Sequence, residues 1–316
     1  MTDAEGAGNA WVVGAGGMLG AAVCRQLEAN GVAVRRAAIP WDQPAAAVAA
    51  FQAEADALRA AETPVDVYWC AGAGVIATDR TALTQELATF RDALEVLAPL
   101  AENTVRGVFL ASSAGGVYGT AGDPPYTEDT PESPIGSYGE TKLAMEEVAR
   151  EWAFAHGGRV VLGRVSTVYG PGQDLSKPQG LIAQLCRAHL QRQPLTIYVS
   201  LDLERDFIYV DDAARMAVAA TGRLASVEPG TTVVKIVASH TPTTIGTVLG
   251  DLRRITRRRP PVAFAASPLS AMQSPRLRYR SGVWPDLNDL ASTGVVAGLA
   301  STLADIAFRL RLGEAA

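Results

Sequence analysis

The sequence of 316 residues contains little cysteine, little histidine and very little lysine. Cys24, Cys70 and Cys186 are odd in number and far apart, which argues against a disulfide framework and favours a reducing, cytoplasmic compartment. The three histidines form no cluster, so we expect no metal site.

Long apolar runs are also missing. No run reaches the ~18 apolar residues of a membrane span without Gly, Pro or charge, so we expect no membrane partner. The short, acidic N-terminus lacks the basic start and apolar stretch of a secretory signal. A formal net charge of -5 and a pI near 5.4 argue against nucleic acid as a partner. The hydrophobic fraction of 48% is ample for one large domain or two unequal ones.

Positive charge comes almost wholly from arginine, and the only lysines are Lys142, Lys177 and Lys235. Lysine and arginine differ in chemistry, since a lysine ammonium is a compact charge whose pKa shifts readily on burial. Each of the three lysines is therefore a candidate for a role that requires an ammonium group.

Strand-like and helix-like segments alternate through the first part of the chain. Strands are predicted at 11–13, 32–34, 65–70, 107–111 and 160–165, and helices at 21–29, 44–61, 84–99 and 138–156. This alternation predicts an α/β fold with a Rossmann-type, doubly wound parallel sheet covered by helices on both faces.

The composition changes after Gly170, where Pro and Gln become more frequent and the alternation of strand-like and helix-like segments weakens. Helices are predicted at 179–190, 244–255 and 302–312, and strands at 196–199 and 233–238. We predict a dinucleotide-binding domain at 1–170, to whose sheet the strand at 233–238 returns. A smaller C-terminal cap at 171–316 would mainly bind substrate.

Gly14, Gly17 and Gly20 are spaced GxxGxxG between the first strand and the first helix. A sharp turn, a close backbone approach to a pyrophosphate and tight packing of the helix each require a residue without Cβ. The helix N-terminus adds free amides and a favourable dipole for phosphate. The turn therefore predicts a dinucleotide site, and we assign further cofactor contacts to Ala71 and Gly72 after the third strand.

The end of the second strand bears on which dinucleotide binds. It carries Arg35 and Arg36 and no acid until Asp42. An acid there would hold the ribose hydroxyls of NAD, whereas arginine suits the 2′-phosphate of NADP. A solvated strand end explains Arg36 almost as well, so NADP(H) is only slightly favoured over NAD(H). Asp42 could face the adenine amino group.

Tyr138 and Lys142 are spaced i, i+4 in SYGETK, which places both side chains on one face of the predicted helix. A tyrosine with the reference pKa of about 10 is a poor base at neutral pH, but a nearby ammonium favours the phenolate. Lys142 could also bond the nicotinamide ribose. The preceding strand ends in Ser112 and Ser113, whose hydroxyl could bond the substrate oxygen, although a strand-end cap explains the serines equally well.

GAGGMLG, SSAGGVYG, SYGETK, VYGPGQ and RDFIYVDDAA follow one another in this order. Together they resemble the extended short-chain dehydrogenase/reductase family of nucleotide-sugar epimerases, reductases and dehydratases, over about residues 12–216. The resemblance implies that the three glycines hold the pyrophosphate with Met18 and Leu19 at the turn, that Tyr138 is the acid/base and that Lys142 is its partner. It implies Ser113 as the catalytic hydroxyl, but SSAGGVYG is one residue longer than the common pattern and Ser112 could serve.

The resemblance also implies substrate contacts and a homodimer. Arg205 resembles the family's arginine on the sugar-nucleotide diphosphate, and a loop arginine paired with Glu204 or Asp206 is the alternative. Thr167 stands where many relatives carry Asn near the nucleotide phosphates. Lys177 could reach a phosphate or sugar oxygen, and a surface lysine is as plausible. Relatives often dimerise through two helices, here those at 84–99 and 138–156.

Departures from the family pattern narrow the expected reaction. Ala114, Gly115 and Gly116 occupy the stretch where the dehydratases carry Asp-Glu, so elimination of water lacks its acid and base. The short segment before the third strand resembles the keto-sugar reductases. We expect an NADPH-dependent keto-sugar reductase acting at a ring carbon, most often C-4 in this family. A 4-epimerase with tightly bound NAD is nearly as well supported, and a non-catalytic dinucleotide-sensing protein is the alternative of another class.

Overall fold

Strands and helices alternate along the chain in the computed structural model, which describes residues 9–61, 63–72, 78–177, 179–265 and 274–313. The strands are β1 Asn9–Val13, β2 Ala33–Arg35, β3 Val65–Trp69, β4 Val105–Ser113, β5 Val160–Val165, β6 Thr167–Tyr169, β7 Leu195–Ile197, β8 Glu204–Tyr209, β9 Thr232–Val237, β10 Pro242–Thr244 and β11 Val262–Phe264. The helices are α1 Met18–Ala29, α2 Pro44–Ala61, α3 Arg80–Leu97, α4 Ala114–Val117, α5 Gly136–His156, α6 Leu181–Gln191, α7 Val210–Arg223, α8 Ile245–Thr256 and α9 Val295–Arg311.

Six parallel strands form the main sheet, in the order β2-β1-β3-β4-β5-β9. The connections wind in opposite directions from the boundary between β1 and β3. The carboxyl ends of these two strands therefore flank the topological switch point, where open α/β sheets bind their ligands. The predicted doubly wound parallel sheet is confirmed, and its sixth strand is β9, at the position predicted near 233–238.

Helices cover both faces of the main sheet. On one face α2, α3 and α5 pack against strand residues such as Trp11, Val67 and Leu162. On the other face α1 and α7 pack against Val12 and Phe109 among others. All residues of β5 are buried, as expected for an interior strand with helices on both sides.

A smaller C-terminal cap is built on two small sheets. In one, β8 pairs with β6 in parallel and with β10 in antiparallel fashion, and in the other β7 pairs with β11. Helices α6, α8 and α9 share the apolar core of this unit. The predicted smaller cap is thus confirmed as a part of the fold, although the chain passes between the two units more than once.

Helix α7 is not predicted from the sequence, since no helix is expected between residues 190 and 244. It follows β8 directly and returns to the main sheet, where it packs against α1. Its inward face is made largely of alanine, at Ala213, Ala214, Ala217 and Ala220. Small side chains give a weak periodic signal, although they allow two helices to approach closely.

Among the described residues, no helix combines the length and the apolar character needed to traverse a lipid bilayer.

Candidate active site

The glycine turn between β1 and α1 is sterically required at two positions. Gly14 has φ +85, and a Cβ there would lie 2.6 Å from the backbone nitrogen of Ala71. A Cβ on Gly20 would lie 2.1 Å from the Gly14 carbonyl oxygen. The turn is closed by the Gly17 N–H, which donates to that same oxygen over 3.0 Å. Larger residues would push α1 away from the end of β1.

Helix α1 begins at Met18, so Met18, Leu19 and Gly20 lie in its first turn. Its N-cap is Gly17, which has no side chain to satisfy the first amides of the helix. These amides lie at the switch point of the sheet, where an anionic group can accept their hydrogen bonds. The residues present therefore fit the pyrophosphate of a dinucleotide, as the spacing predicts.

A cavity of about 420 Å³ opens beside this turn. Four predicted cofactor residues line it, namely Gly14, Gly17, Ala71 and Gly72. Lys177 also lines this cavity, although we predict from the sequence that it contacts the substrate. The lysine therefore reaches from the cap to this cavity.

Arg36 and Asp42, the cofactor contacts predicted at and after the end of β2, are not among the residues that line this cavity. Arg36 pairs with Glu28 of α1, and both side chains are about half exposed. Asp42 is exposed and is not among the lining residues of the cavity, whereas its neighbour Trp41 is. Trp41 also lies edge-on to Trp69, with the ring centroids 6.1 Å apart. A single exposed tryptophan gives no signal in the sequence that could have identified it as a cavity wall.

Tyr138 and Ser113 are brought together around Gly116 in α4. A Cβ on Gly116 would lie 3.0 Å from Cε1 of Tyr138 and 3.3 Å from Cβ of Ser113. The first turn of α5 is pressed against α4, because a Cβ on Gly139 would lie 2.3 Å from the Gly116 carbonyl oxygen. Ser113 and the ring of Tyr138 therefore both lie next to Gly116, at the carboxyl end of β4.

The two serines of β4 point in opposite directions, as neighbours in a strand do. Ser112 is buried and its Oγ donates to Oε1 of Glu146 over 2.6 Å. Ser113 is partly exposed and its Oγ accepts from the Gly116 N–H over 3.1 Å, which caps α4. The capping bond uses the oxygen of Ser113 as an acceptor, so its O–H can still be donated to a ligand.

Lys142 lies on the same face of α5 as Tyr138, with Nζ 5.8 Å from the centroid of the tyrosine ring. Its Nζ donates to Oε1 of Glu86 in α3 over 2.9 Å, and both side chains are largely buried. Burial works against the ammonium charge, but the fields of Tyr138 and Glu86 hold the pKa of Lys142 above its ordinary value. Glu86 is a site residue that sequence reasoning missed.

Behind the serines and α5, Arg164 of β5 is completely buried. Its Nη2 donates to Oε2 of Glu146 over 2.7 Å and to Oε1 of Glu132 over 2.6 Å. Its Nε bonds Oε1 of Glu146, the oxygen that Ser112 also contacts. Burial opposes the guanidinium charge, yet the two carboxylates hold the pKa of Arg164 above its ordinary value. This network joins β4, β5 and α5 beneath the candidate site.

A second cavity, of about 330 Å³, lies in the cap and is lined by both Thr167 and Arg205. Nη1 of Arg205 donates to the backbone carbonyls of Glu204 and Ser274 over 2.8 and 2.9 Å. Burial lowers the pKa of this guanidinium. The structure thus places two of the three predicted substrate residues together, and it separates Lys177 from them.

Within the ranges that the structure describes, no three His, Cys, Asp or Glu side chains are grouped as metal ligands would be. The three cysteines are unpaired. The side chains described above place hydroxyl, ammonium and carboxylate groups at the candidate site.

A model of the NAD dependent epimerase/dehydratase family matches residues 10–234. The resemblance inferred from the motifs is confirmed by this match. A curated relative, a dTDP-4-dehydro-6-deoxyglucose reductase of Escherichia coli, is 35% identical over 113 residues, which are 36% of this chain and 35% of the relative. The chain thus matches only about a third of the length of such relatives.

Solved structures resemble the whole chain. The UDP-glucose 4-epimerase of Thermotoga maritima, solved with UDP-glucose, has a TM-score of 0.79 at 20% identity and covers 96% of this chain and 99% of its own. MoeE5, solved in complex with UDP-glucose and NAD, has a TM-score of 0.75 at 24% identity, covering 96% and 100%. At these identities the likeness bears on the fold alone.

Proposed function

The chain belongs to the NAD dependent epimerase/dehydratase family, and we propose that it transfers a hydride between a nicotinamide dinucleotide and a ring carbon of a nucleotide-activated sugar. The observation that carries this proposal is the meeting of Ser113 and Tyr138 around Gly116, with Lys142 one turn further along α5. A hydroxyl donor, a proton-transfer group and an ammonium are thus close together, and Lys142 lies next to Gly72 and Glu86, which line the dinucleotide cavity.

Each side chain has a distinct role in this proposal. A bound nicotinamide supplies or accepts the hydride. Tyr138 gives a proton to the keto oxygen in reduction, or removes the hydroxyl proton in oxidation. Ser113 donates its O–H to the same sugar oxygen and orients it. Lys142 stabilises the phenolate form of Tyr138 through its positive charge.

Reduction of a keto sugar with NADPH is the direction that we favour. Arg36 supports it, because an exposed ion pair such as that with Glu28 contributes little and can be exchanged for a 2′-phosphate. The reductase from Escherichia coli is a relative consistent with this direction. Helix α4 contains only Ala, Gly and Val, so the acid and base of a dehydratase are missing at this position.

Epimerisation at C-4 is the second candidate, and the Thermotoga maritima protein that shares this fold is a UDP-glucose 4-epimerase. The same residues serve both reactions, because an epimerase removes a hydride and returns it to the other face. MoeE5 was solved with NAD, which makes NAD the alternative cofactor.

The two cavities suggest how the ligands divide between them. We assign the dinucleotide to the cavity beside the glycine turn, with Lys177 on its anionic part, and keep Asp42 as a predicted adenine contact. We assign the nucleotide part of the substrate to the cap cavity, with Thr167 and Arg205 as its polar contacts. The unpaired cysteines are consistent with a cytoplasmic location.

The proposal is tested by identifying the cofactor and the turnover. Protein purified without added nucleotide is denatured and any released dinucleotide is separated, and fresh enzyme is then assayed with a panel of UDP- and dTDP-linked sugars and 4-keto sugars. We expect empty enzyme and NADPH oxidation in step with loss of a keto sugar. Retained NAD with interconversion of two sugar epimers would select the epimerase instead. Binding of dinucleotide without turnover of any of these compounds would reject both and favour a sensor.

The homodimer implied by the family remains a prediction. Helices α3 and α5 pack side by side, and Phe154 on α5 is 84% exposed. The exposed residues of α5 also include Glu140, which pairs with Arg80, and Glu147, which pairs with Arg150. We expect a dimer in which the exposed ring of Phe154 becomes buried. Sedimentation equilibrium should find a dimer for the wild type and a monomer for Phe154→Glu, whereas a monomeric wild type at all salt concentrations would contradict the prediction.

A further inference from the structure

The carboxylate of Glu86 forms a direct ion pair with Lys142, the lysine of the candidate catalytic pair. It lies in α3, 56 residues before Lys142, and the two side chains are joined by the bond of 2.9 Å between Oε1 and Nζ. Their exposed fractions are 13% and 6%, so the pair is shielded from water on most sides. A shielded ion pair interacts far more strongly than one on the surface.

The pair lies at the wall of the dinucleotide cavity. Gly72, which lines this cavity, would bring a Cβ to 3.1 Å from Oε1 of Glu86 and to 3.2 Å from Nζ of Lys142. Glu86 itself lines the cavity. The carboxylate is therefore close enough to a bound dinucleotide to influence how Lys142 meets it.

The charges around Lys142 come from two helices. In the described part of the chain, the groups whose fields act on its ammonium are Tyr138 on its own helix and Glu86 on α3. Met145 contributes a weak contact from its sulfur, 3.8 Å from Nζ. The ammonium of Lys142 thus interacts both with Tyr138, which it would activate, and with Glu86, whose negative charge offsets its own.

We propose that Glu86 is a positioning residue that acts through Lys142, holding the ammonium at the cavity wall and offsetting part of the positive charge that Tyr138 experiences. This inference rests on the proposed function, because it gives the Tyr138–Lys142 pair its role. Two consequences can be measured without a sugar substrate. Removing the carboxylate should strengthen binding of the anionic dinucleotide and should ease ionisation of Tyr138.

The first measurement is the Kd of NADPH and of NADH by fluorescence titration of Glu86→Gln. Since Gln keeps the shape of the side chain but not its charge, we expect a Kd about fivefold lower than that of the wild type. Glu140→Gln is the matched control, because it removes a carboxylate that pairs with Arg80 on the exposed surface of the same two helices. Its Kd should equal that of the wild type.

The second measurement is the tyrosinate absorbance of the NADP⁺-bound protein as a function of pH. Subtracting the same titration of a Tyr138→Phe variant isolates the ionisation of Tyr138. Glu86→Gln should move its midpoint to lower pH by about 0.5–1 unit, since the ammonium is no longer offset. A role in packing alone would not move this midpoint.

Glu86→Asp keeps the test decisive should Glu86→Gln fail to fold. It retains the charge one methylene further from Lys142, so both effects should have the same sign and smaller size. Unchanged Kd and midpoint, or a change of opposite sign, in the variants that fold would overturn the proposal. Absence of sugar turnover in the wild type would instead count against the proposed function, and leaves these two readouts intact.

Discussion

Replacing Tyr138 by Phe should lower turnover of the sugar nucleotide by about 10²–10⁴-fold, the range for loss of a general acid or base. The change removes one oxygen and leaves the ring beside Gly116 and Ser113 in place. Because the hydroxyl would act in the transition state, kcat should fall much more than KM rises. Steady-state kinetics on the substrate found by the panel of sugars measures the effect.

Tyr169→Phe is a suitable control for this variant. Tyr169 is buried in the cap core, and among the described residues its hydroxyl has no hydrogen-bond partner. Removing that hydroxyl should leave both kcat and the fold unchanged. Full activity of Tyr138→Phe with the bound dinucleotide would show that proton transfer runs through another group.

Breaking the buried pair between Arg164 and Glu146 should cost about 3–5 kcal/mol of unfolding free energy, because the buried guanidinium loses its one fully buried counter-charge among the described residues. In Glu146→Leu, Arg164 keeps the partly exposed carboxylate of Glu132 and the hydroxyl of Tyr118, and Ser112 loses its acceptor. Equilibrium urea denaturation and the thermal midpoint measure the loss. We also expect weaker activity, because the network supports the strand that carries Ser113 and the helix that carries Lys142.

Two further variants separate the buried charge from the loss of packing. Glu147→Gln changes the neighbouring carboxylate, which is 63% exposed, and should alter stability by less than about 0.5 kcal/mol. The double variant Glu146→Leu with Arg164→Met removes both charges and should lose less stability than the two single changes added together. Strict additivity would show that the pair itself contributes no coupling.

Much of the fold follows from local features of the sequence. The apolar strands, the glycine turn and the helix that begins near Tyr138 are specified by residues within a few positions of one another. The GxxGxxG spacing correctly predicts a turn in which Gly14 and Gly20 touch. Helix α7 was missed because its buried face of alanine carries little hydrophobic signal.

The side-chain partners in the site were harder to predict. Spacing places Tyr138 and Lys142 on one face, but it does not indicate that Glu86 bonds Lys142 from another helix. It also leaves Ser112 and Ser113 equivalent, until the position of Glu146 assigns Ser112 to the buried side of the strand. Such contacts depend on packing between elements that are distant along the chain.

The sequence by itself therefore determined the family, the parallel sheet, the glycine turn and the candidate tyrosine and lysine, because each depends on short-range spacing and periodicity. Only the tertiary structure decided that Glu28 binds Arg36, that Lys177 lines the dinucleotide cavity, and that Glu86 shares the ammonium of Lys142. The physical reason is that charge and hydrogen-bond partners are selected by three-dimensional proximity and burial, which local spacing does not encode.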